Sequence, residues 1–333
     1  MIRTIRRSRS RSSHSGPFRR SAGLVATVAT ALVLTACGSG PSTTNAAIVV
    51  GDRTIALDDV QSEIQWLLDN SPQAKQAQDQ GSLSLISREL VRSRVVHELV
   101  SVAAQRENLR VDETAVDELV EAAGGVETAA RNIAVEPDRV RDVARDQLLL
   151  EELGRAVQDR LTVHYVGAMI TESTVEATDS EVARELGRRI AANPGDVETI
   201  LRESGHEVID RTVSLSETLA EDPELAISAV FGAPQGSVVV IQPSQQRVGW
   251  LVALIEERSE QSGAPRQDGE QAAQPVDPQL LYWAGLRQLQ PIADELGVEI
   301  NPRFGVWDDT GLAPAPSEGE LSGHVWESRT VQP

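Results

Sequence analysis

The chain has 333 residues, 31 basic against 50 acidic side chains, a formal net charge of −19, five histidines and one cysteine. A field of that sign repels phosphate backbones and anionic surfaces, which argues against nucleic-acid partners. One cysteine allows no internal disulfide and no thiolate cluster, and an aromatic content of 3% argues against a broad sugar-binding cleft.

Residues 1–36 carry Arg3, Arg6, Arg7, Arg9, Arg11, Arg19 and Arg20, then an apolar run over residues 22–34. A basic start, a short apolar core and small residues make the pattern of an export signal. The run is shorter than the about 20 residues that span a bilayer. Leu34-Thr35-Ala36-Cys37 closes it and resembles a bacterial lipobox, whose cysteine carries a diacylglycerol. An ordinary secretory signal with an incidental cysteine is the alternative. Without residues 1–36, 24 basic residues face 50 acids. Membrane attachment is therefore expected from a lipid on Cys37 and not from a polybasic patch, and the body is expected on the extracytoplasmic face.

Residues 37–45 read as a flexible tether rich in Gly, Ser and Thr. Ala47-Ile48-Val49-Val50 and Arg53-Thr54-Ile55 flank Gly51-Asp52, a hairpin signal. Asp58 with Gln61 reads as a capping box opening a helix with Val60, Ile64, Leu67 and Leu68 on one face. Residues 71–84 read as a loop or frayed end. A long helix follows over about 85–107, then a short acidic helix from Asp112 to Gly124-Gly125. Another helix starts near Pro137 and runs to about residue 160, with a stripe through Val140, Val143, Leu150, Leu153 and Val157. Residues 46–161 are thus predicted as a helical domain with one hairpin.

From residue 162 the pattern changes. Strands are predicted at 162–171, 207–213, 237–241 and 248–255, with a turn at Pro243 and Gln245-Gln246. Helices are predicted at 179–192, 196–203 and 223–231. The order β-α-α-β-α-β-β over residues 162–258 specifies an α+β unit with a mostly antiparallel sheet. Residues 259–277 form a Gln-, Gly- and Pro-rich linker. A helix over 281–296, kinked at Pro291 or restarted there as a second short helix, and the strand Val298-Glu299-Ile300 then cannot bury their apolar faces alone. They are expected to return to the first domain, the strand completing its hairpin, so that residues 278–308 belong there. Residues 309–333 are expected to be a disordered acidic tail.

This organisation resembles the SurA/PrsA family of extracytoplasmic foldases. The likeness rests on the Val-Val-Gly-Asp hairpin, the run Leu109-Arg110-Val111-Asp112-Glu113-Thr114-Ala115-Val116, Ala134-Val135-Glu136-Pro137 with Leu148-Leu149-Leu150-Glu151-Glu152, and Asn301-Pro302-Arg303-Phe304-Gly305. It covers residues 46–308. The inserted unit resembles a parvulin prolyl isomerase through residues 223–236 and Gly249-Trp250-Leu251. Leu251 stands where the family carries histidine, Leu225 where a pocket phenylalanine is usual, and the Gly-Gly-x-Leu-Gly segment is missing. The resemblance therefore implies a parvulin-like fold with little isomerase activity, because the amide barrier of about 18–20 kcal/mol needs more than apolar contact to fall. His164, on the first strand, is the one weak catalytic candidate.

No histidine pair has metal-ligand spacing, no Gly-x-Ser-x-Gly elbow occurs and no phosphate loop follows a strand; neither metal nor cofactor is expected. Trp66, Trp250 and Trp283 are candidate groove residues for substrate binding. The expected function is a lipid-anchored chaperone that holds unfolded secreted polypeptides. The alternatives are an active prolyl isomerase and a structural envelope lipoprotein with one dedicated partner.

Overall fold

A computed structural model describes residues 45–171, 178–243, 248–260 and 276–328. The expected signal and lipobox of residues 1–37, nearly all of the expected tether, Gln245-Gln246 of the expected turn, most of the expected 259–277 linker and residues 329–333 lie outside them. The chain is mixed α+β.

Strands β1 (Ala46–Val50) and β2 (Arg53–Ala56) turn at Gly51, whose φ of +58° suits a residue without Cβ. The chain passes directly from β2 into α1 (Leu57–Asn70), with extended Ala56 at the N-cap and no side-chain cap. The expected Asp58–Gln61 capping box is thus not formed. The helix starts two residues too early, and Asp58 and Asp59 instead face the positive end of its dipole. Residues 71–84, expected as a loop or frayed helix end, contain α2 (Pro72–Asp79): Ser71 caps it, Pro72 opens it, and Ala74 is buried. So few apolar residues face the core here that periodicity missed a helix that its start signals define.

Next come α3 (Leu83–Arg106), α4 (Glu113–Ala122) capped by Asp112, α5 (Val126–Asn132) and, after a 3-10 turn at Pro137–Arg139, α6 (Val140–Gln158). The inserted unit runs β3 (Leu161–Ile170), α7 (Asp179–Ala192), α8 (Val197–Glu203), β4 (Ile209–Ser214), α9 (Leu215–Glu221), α10 (Pro223–Ala226), β5 (Ser237–Ile241) and β6 (Trp250–Glu260). Thr178 and Glu181 form a full capping box on α7. The chain ends with α11 (Pro278–Arg287), α12 (Gln290–Leu296), β7 (Val298–Ile300), β8 (Val306–Asp308), β9 (Ala313–Ala315) and β10 (Gly323–Glu327).

Strand β7 pairs antiparallel with β1, Ile300 opposite Ile48, giving the sheet order β2-β1-β7. The large sheet is antiparallel in the order β10-β5-β6-β3-β4. Here the expected disordered tail is corrected. Strand β9 pairs with β8, and β10 adds a fifth strand against β5. Asp308, almost fully buried, accepts from the amides of Thr310 (3.0 Å), Gly311 (3.1 Å) and Ser322 (2.7 Å). Leu312 and Ala315 supply the buried apolar surface. Composition read this segment as unfoldable because its order comes from one carboxylate and the open edge of β5.

One face of the large sheet packs on α7 and α8 through Val166, Ala168, Ile170, Val240 and Val252. The other packs on α9, α10 and α11 through Val163, Tyr165, Phe231, Leu251 and Ala284. Helix α11 is a shared wall, since its Leu286 lies in the helical core and its Ala284 in the sheet core. It crosses α6 so closely that a Cβ on Gly285 would lie 1.9 Å from the Leu150 carbonyl oxygen, and one on Gly154 2.0 Å from that of Leu281. Buried polar bonds complete the junction. Arg287 donates to the carbonyls of Ile227 (2.5 Å) and Thr310 (2.6 Å), and burial lowers its pKa to about 10. Gln288 accepts from Arg258 (2.5 Å) and donates to the carbonyl of Phe231 (3.4 Å). The described residues pack as one compact unit.

Candidate functional site

A cavity of about 560 Å³ opens between α3, α6 and α11, bordered by residues 133–135. That size lies within the usual range for ligand pockets, about 300–1,000 Å³. Its apolar lining comes from Leu90 and Val96 of α3, Val143 and Leu150 of α6, and Tyr282 and Trp283 of α11. Ile133, 43% exposed, adds an aliphatic side chain at the rim. Exposed Leu85 lies one helical turn before the lining residue Glu89.

Each wall is held by a specific device. Helix α5 ends with Ala134 at φ +54°, in the left-handed region, and the Val135 amide bonds back to the Ala130 carbonyl at 3.1 Å. This is a Schellman closure with alanine where glycine is usual. It buries Val135 while leaving Ile133 at the rim. Behind the α3 wall lies Glu63 of α1, completely buried. Its Oε2 accepts from Arg94 Nε (3.0 Å) and Nη2 (2.6 Å), and its Oε1 from Arg139 Nη1 (3.0 Å). Arg139 also donates to Ser93, a lining residue, at 3.1 Å. One carboxylate thus ties α1, α3 and the Pro137–Arg139 turn together.

Across the cavity, His97 Nδ1 of α3 and Asp146 Oδ2 of α6 are 2.8 Å apart. This hydrogen bond holds the His97 pKa above the usual imidazole value, against burial, which lowers it. Tyr282 and Trp283 meet edge to face with centroids 5.1 Å apart. The Arg92 guanidinium lies 5.6 Å from the centre of the Trp283 ring and donates through Nε to the Leu312 carbonyl at 3.3 Å. The reordered C-terminal segment therefore braces the cavity wall.

Of the three candidate tryptophans, only Trp283 lines this cavity. Trp66 is half-buried between the two helical clusters, and Trp250 packs at the α7–α8 face of the large sheet. The structure does not bring them together. The isomerase candidates are also separated. Leu251 sits opposite Met169 and is 3% exposed in the core beneath α9 and α10, with Leu225 beside it. His164 lies between Val163 and Tyr165, which both enter that core, so strand alternation sends it to the other face. There its Nε2 is 2.8 Å from Asp210 Oδ1 and its Nδ1 3.5 Å from Glu256 Oε2.

Sequence reasoning missed Glu63, Arg139, Arg92 and Asp146. For Glu63 a signal existed, since it falls at i+3 from Val60 and i−4 from Leu67, on the buried stripe of α1. A second cavity of about 570 Å³ lies over β1, β7 and Trp307. It is lined mainly by strand residues and the turn after β7 and contains none of the candidate residues. Among the described residues no set of His, Cys, Asp and Glu is placed to hold a metal ion, and no helix is long and apolar enough to cross a membrane. No family model matches the chain, and no curated protein or solved structure matches it significantly.

Proposed function

We propose that this chain is an extracytoplasmic chaperone, anchored through lipid on Cys37, that holds unfolded secreted polypeptides. The observation that carries the reading is the cavity between α3, α6 and α11, with Trp283 and Tyr282 in its wall and the exposed aliphatic side chain of Ile133 at its rim. A cleft that sets aliphatic and aromatic side chains beside charged ones offers an unfolded segment a place to bury apolar groups without demanding a sequence. The large negative charge keeps such complexes dispersed.

The SurA/PrsA-like reading draws support from the pairing of β7 with β1 and from the antiparallel α+β insert, whose order is β-α-α-β-α-α-β-β with one helix more than the sequence pattern predicts. In this reading the insert is a parvulin-like unit that does not isomerise prolyl bonds. Leu251 and Leu225 fill the space where a proline pocket would need to be open, and His164 faces away from it.

The test is suppression of aggregation by the purified full-length protein. A chemically unfolded client should stay soluble at near-stoichiometric ratio, and Trp283→Ala should weaken the effect severalfold. Absence of suppression by the wild-type chain would sink the proposal. A protease-coupled assay on a proline-containing peptide should show no turnover above background.

A further inference from the structure

We infer that the α3–α6–α11 cavity selects segments in which a large apolar side chain neighbours lysine or arginine. This inference rests on the chaperone reading above and narrows its ligand. The charges around the apolar floor are one-sided. Glu89, Asp146, Glu151 and Asp277 line the cavity, against the single cation Arg92.

The cation is already committed. Arg92 is mostly buried, pairs with Glu89 at 3.3 Å, bonds the Leu312 carbonyl and lies over Trp283. Asp146 is engaged by His97. Glu151 and Asp277 meet no basic side chain among the described residues. Glu151 accepts only from the neutral Gln147 amide at 3.1 Å, and Asp277 accepts from the Gln279 backbone amide at 2.9 Å as the cap of α11. Two carboxylates, one from α6 and one from the start of α11, therefore border the cleft with no basic partner among the described residues.

A segment bearing a carboxylate there meets repulsion from both. A segment bearing an ammonium or guanidinium gains two exposed ion pairs while its apolar neighbour enters beside Trp283. Each exposed pair contributes modestly, roughly 1.5- to 5-fold in affinity. Two pairs together with the repulsion of the opposite charge give a discrimination of about tenfold at low salt. Screening erases most of it near 0.5 M salt, where the Debye length falls to roughly 4 Å.

The test uses three fluorescein-labelled peptides with the same Phe-Leu-Phe centre, flanked by lysines, glutamines or glutamates, titrated with purified full-length protein and followed by anisotropy. The lysine peptide should bind about tenfold more tightly than the glutamate peptide, with the glutamine peptide between them. The double variant Glu151→Gln/Asp277→Asn keeps side-chain shape, and asparagine still caps α11. It should bring the ratio close to that expected from overall charge, measured with Glu203→Gln/Glu224→Gln, neither of which lines the cavity, as control. Trp283→Ala should weaken all three peptides alike. Equal binding of the three, or a preference that survives the double variant unchanged, would overturn the inference. If the wild type also fails to suppress aggregation, the chaperone reading falls with it. Suppression without charge preference removes the ligand class alone.

Discussion

The helical body and the five-stranded sheet use the same apolar residue types toward opposite ends. The sheet fills both faces, as Val166, Val240 and Val252 lie under α7 and α8, and Val163, Phe231 and Leu251 lie under α9, α10 and α11. The body instead places ionic and strained elements around an open space: buried Glu63 with two arginines, the His97–Asp146 bond and left-handed Ala134. The larger part of both sheet faces is covered by helices. Helices α3, α6 and α11 leave a cavity between them although α6 and α11 touch at Gly154 and Gly285, and binding is therefore expected from the body, with the sheet as its rigid support.

The largest effect should come from Glu63→Ala. It leaves Arg139 buried and Arg94 half-buried without their shared carboxylate, and breaking a buried pair costs about 3–5 kcal/mol. Denaturant unfolding should show that loss. A cost below about 1 kcal/mol would mean that the body does not depend on this strut. Gly285→Ala tests the support, because its Cβ would strike the Leu150 carbonyl at 1.9 Å and force α11 from α6. The expected cost is about 1–3 kcal/mol, with loosening of both halves, since α11 contributes to both cores. Unfolding that stays in one transition with unchanged midpoint would argue against a shared wall.

The C-terminal segment supplies a pH-dependent contact between the halves. Burial, with the charges of Asp309 and Glu327 adding to it, raises Asp294 to about 6. An unfolded aspartate titrates near 3.9. The folded state therefore holds the proton more tightly, and this contribution to stability is present below about pH 4 and lost as pH rises through about 6. Asp294→Asn should raise the midpoint at pH 7 relative to the wild type while leaving it nearly unchanged at pH 4. An equal difference at both pH values would exclude the titration of Asp294 as its source. The smallest effect is expected for Ala134→Gly. Relief of the left-handed backbone should stabilise the body by up to about 1 kcal/mol, read as a small rise in thermal midpoint.

Helices with a continuous stripe and clear end signals were legible residue by residue. Helix α7 was predicted at residues 179–192, and Asp112 was recognised as the start of α4. Elements with one or two buried residues were not. Helices α2 and α5 are mostly exposed, and β10 gains its order from the edge of β5, about 85 residues earlier in the chain. Trp283 was recognised as a groove candidate, whereas Trp66 and Trp250 were grouped with it only because tryptophan type carries no information about neighbours.

By itself the sequence determined the α+β class and the stripes that bury most of the helices. Those properties follow from short-range periodicity and residue identity. Tertiary structure alone decided that Glu63 meets Arg94 and Arg139, that His164 and Leu251 face opposite ways, and that the tail becomes a strand. It also decided that α3, α6 and α11 leave a cavity between them. Periodicity reports which face of an element is buried, but the partner that covers it, and the space left where covering is incomplete, depend on packing between distant segments.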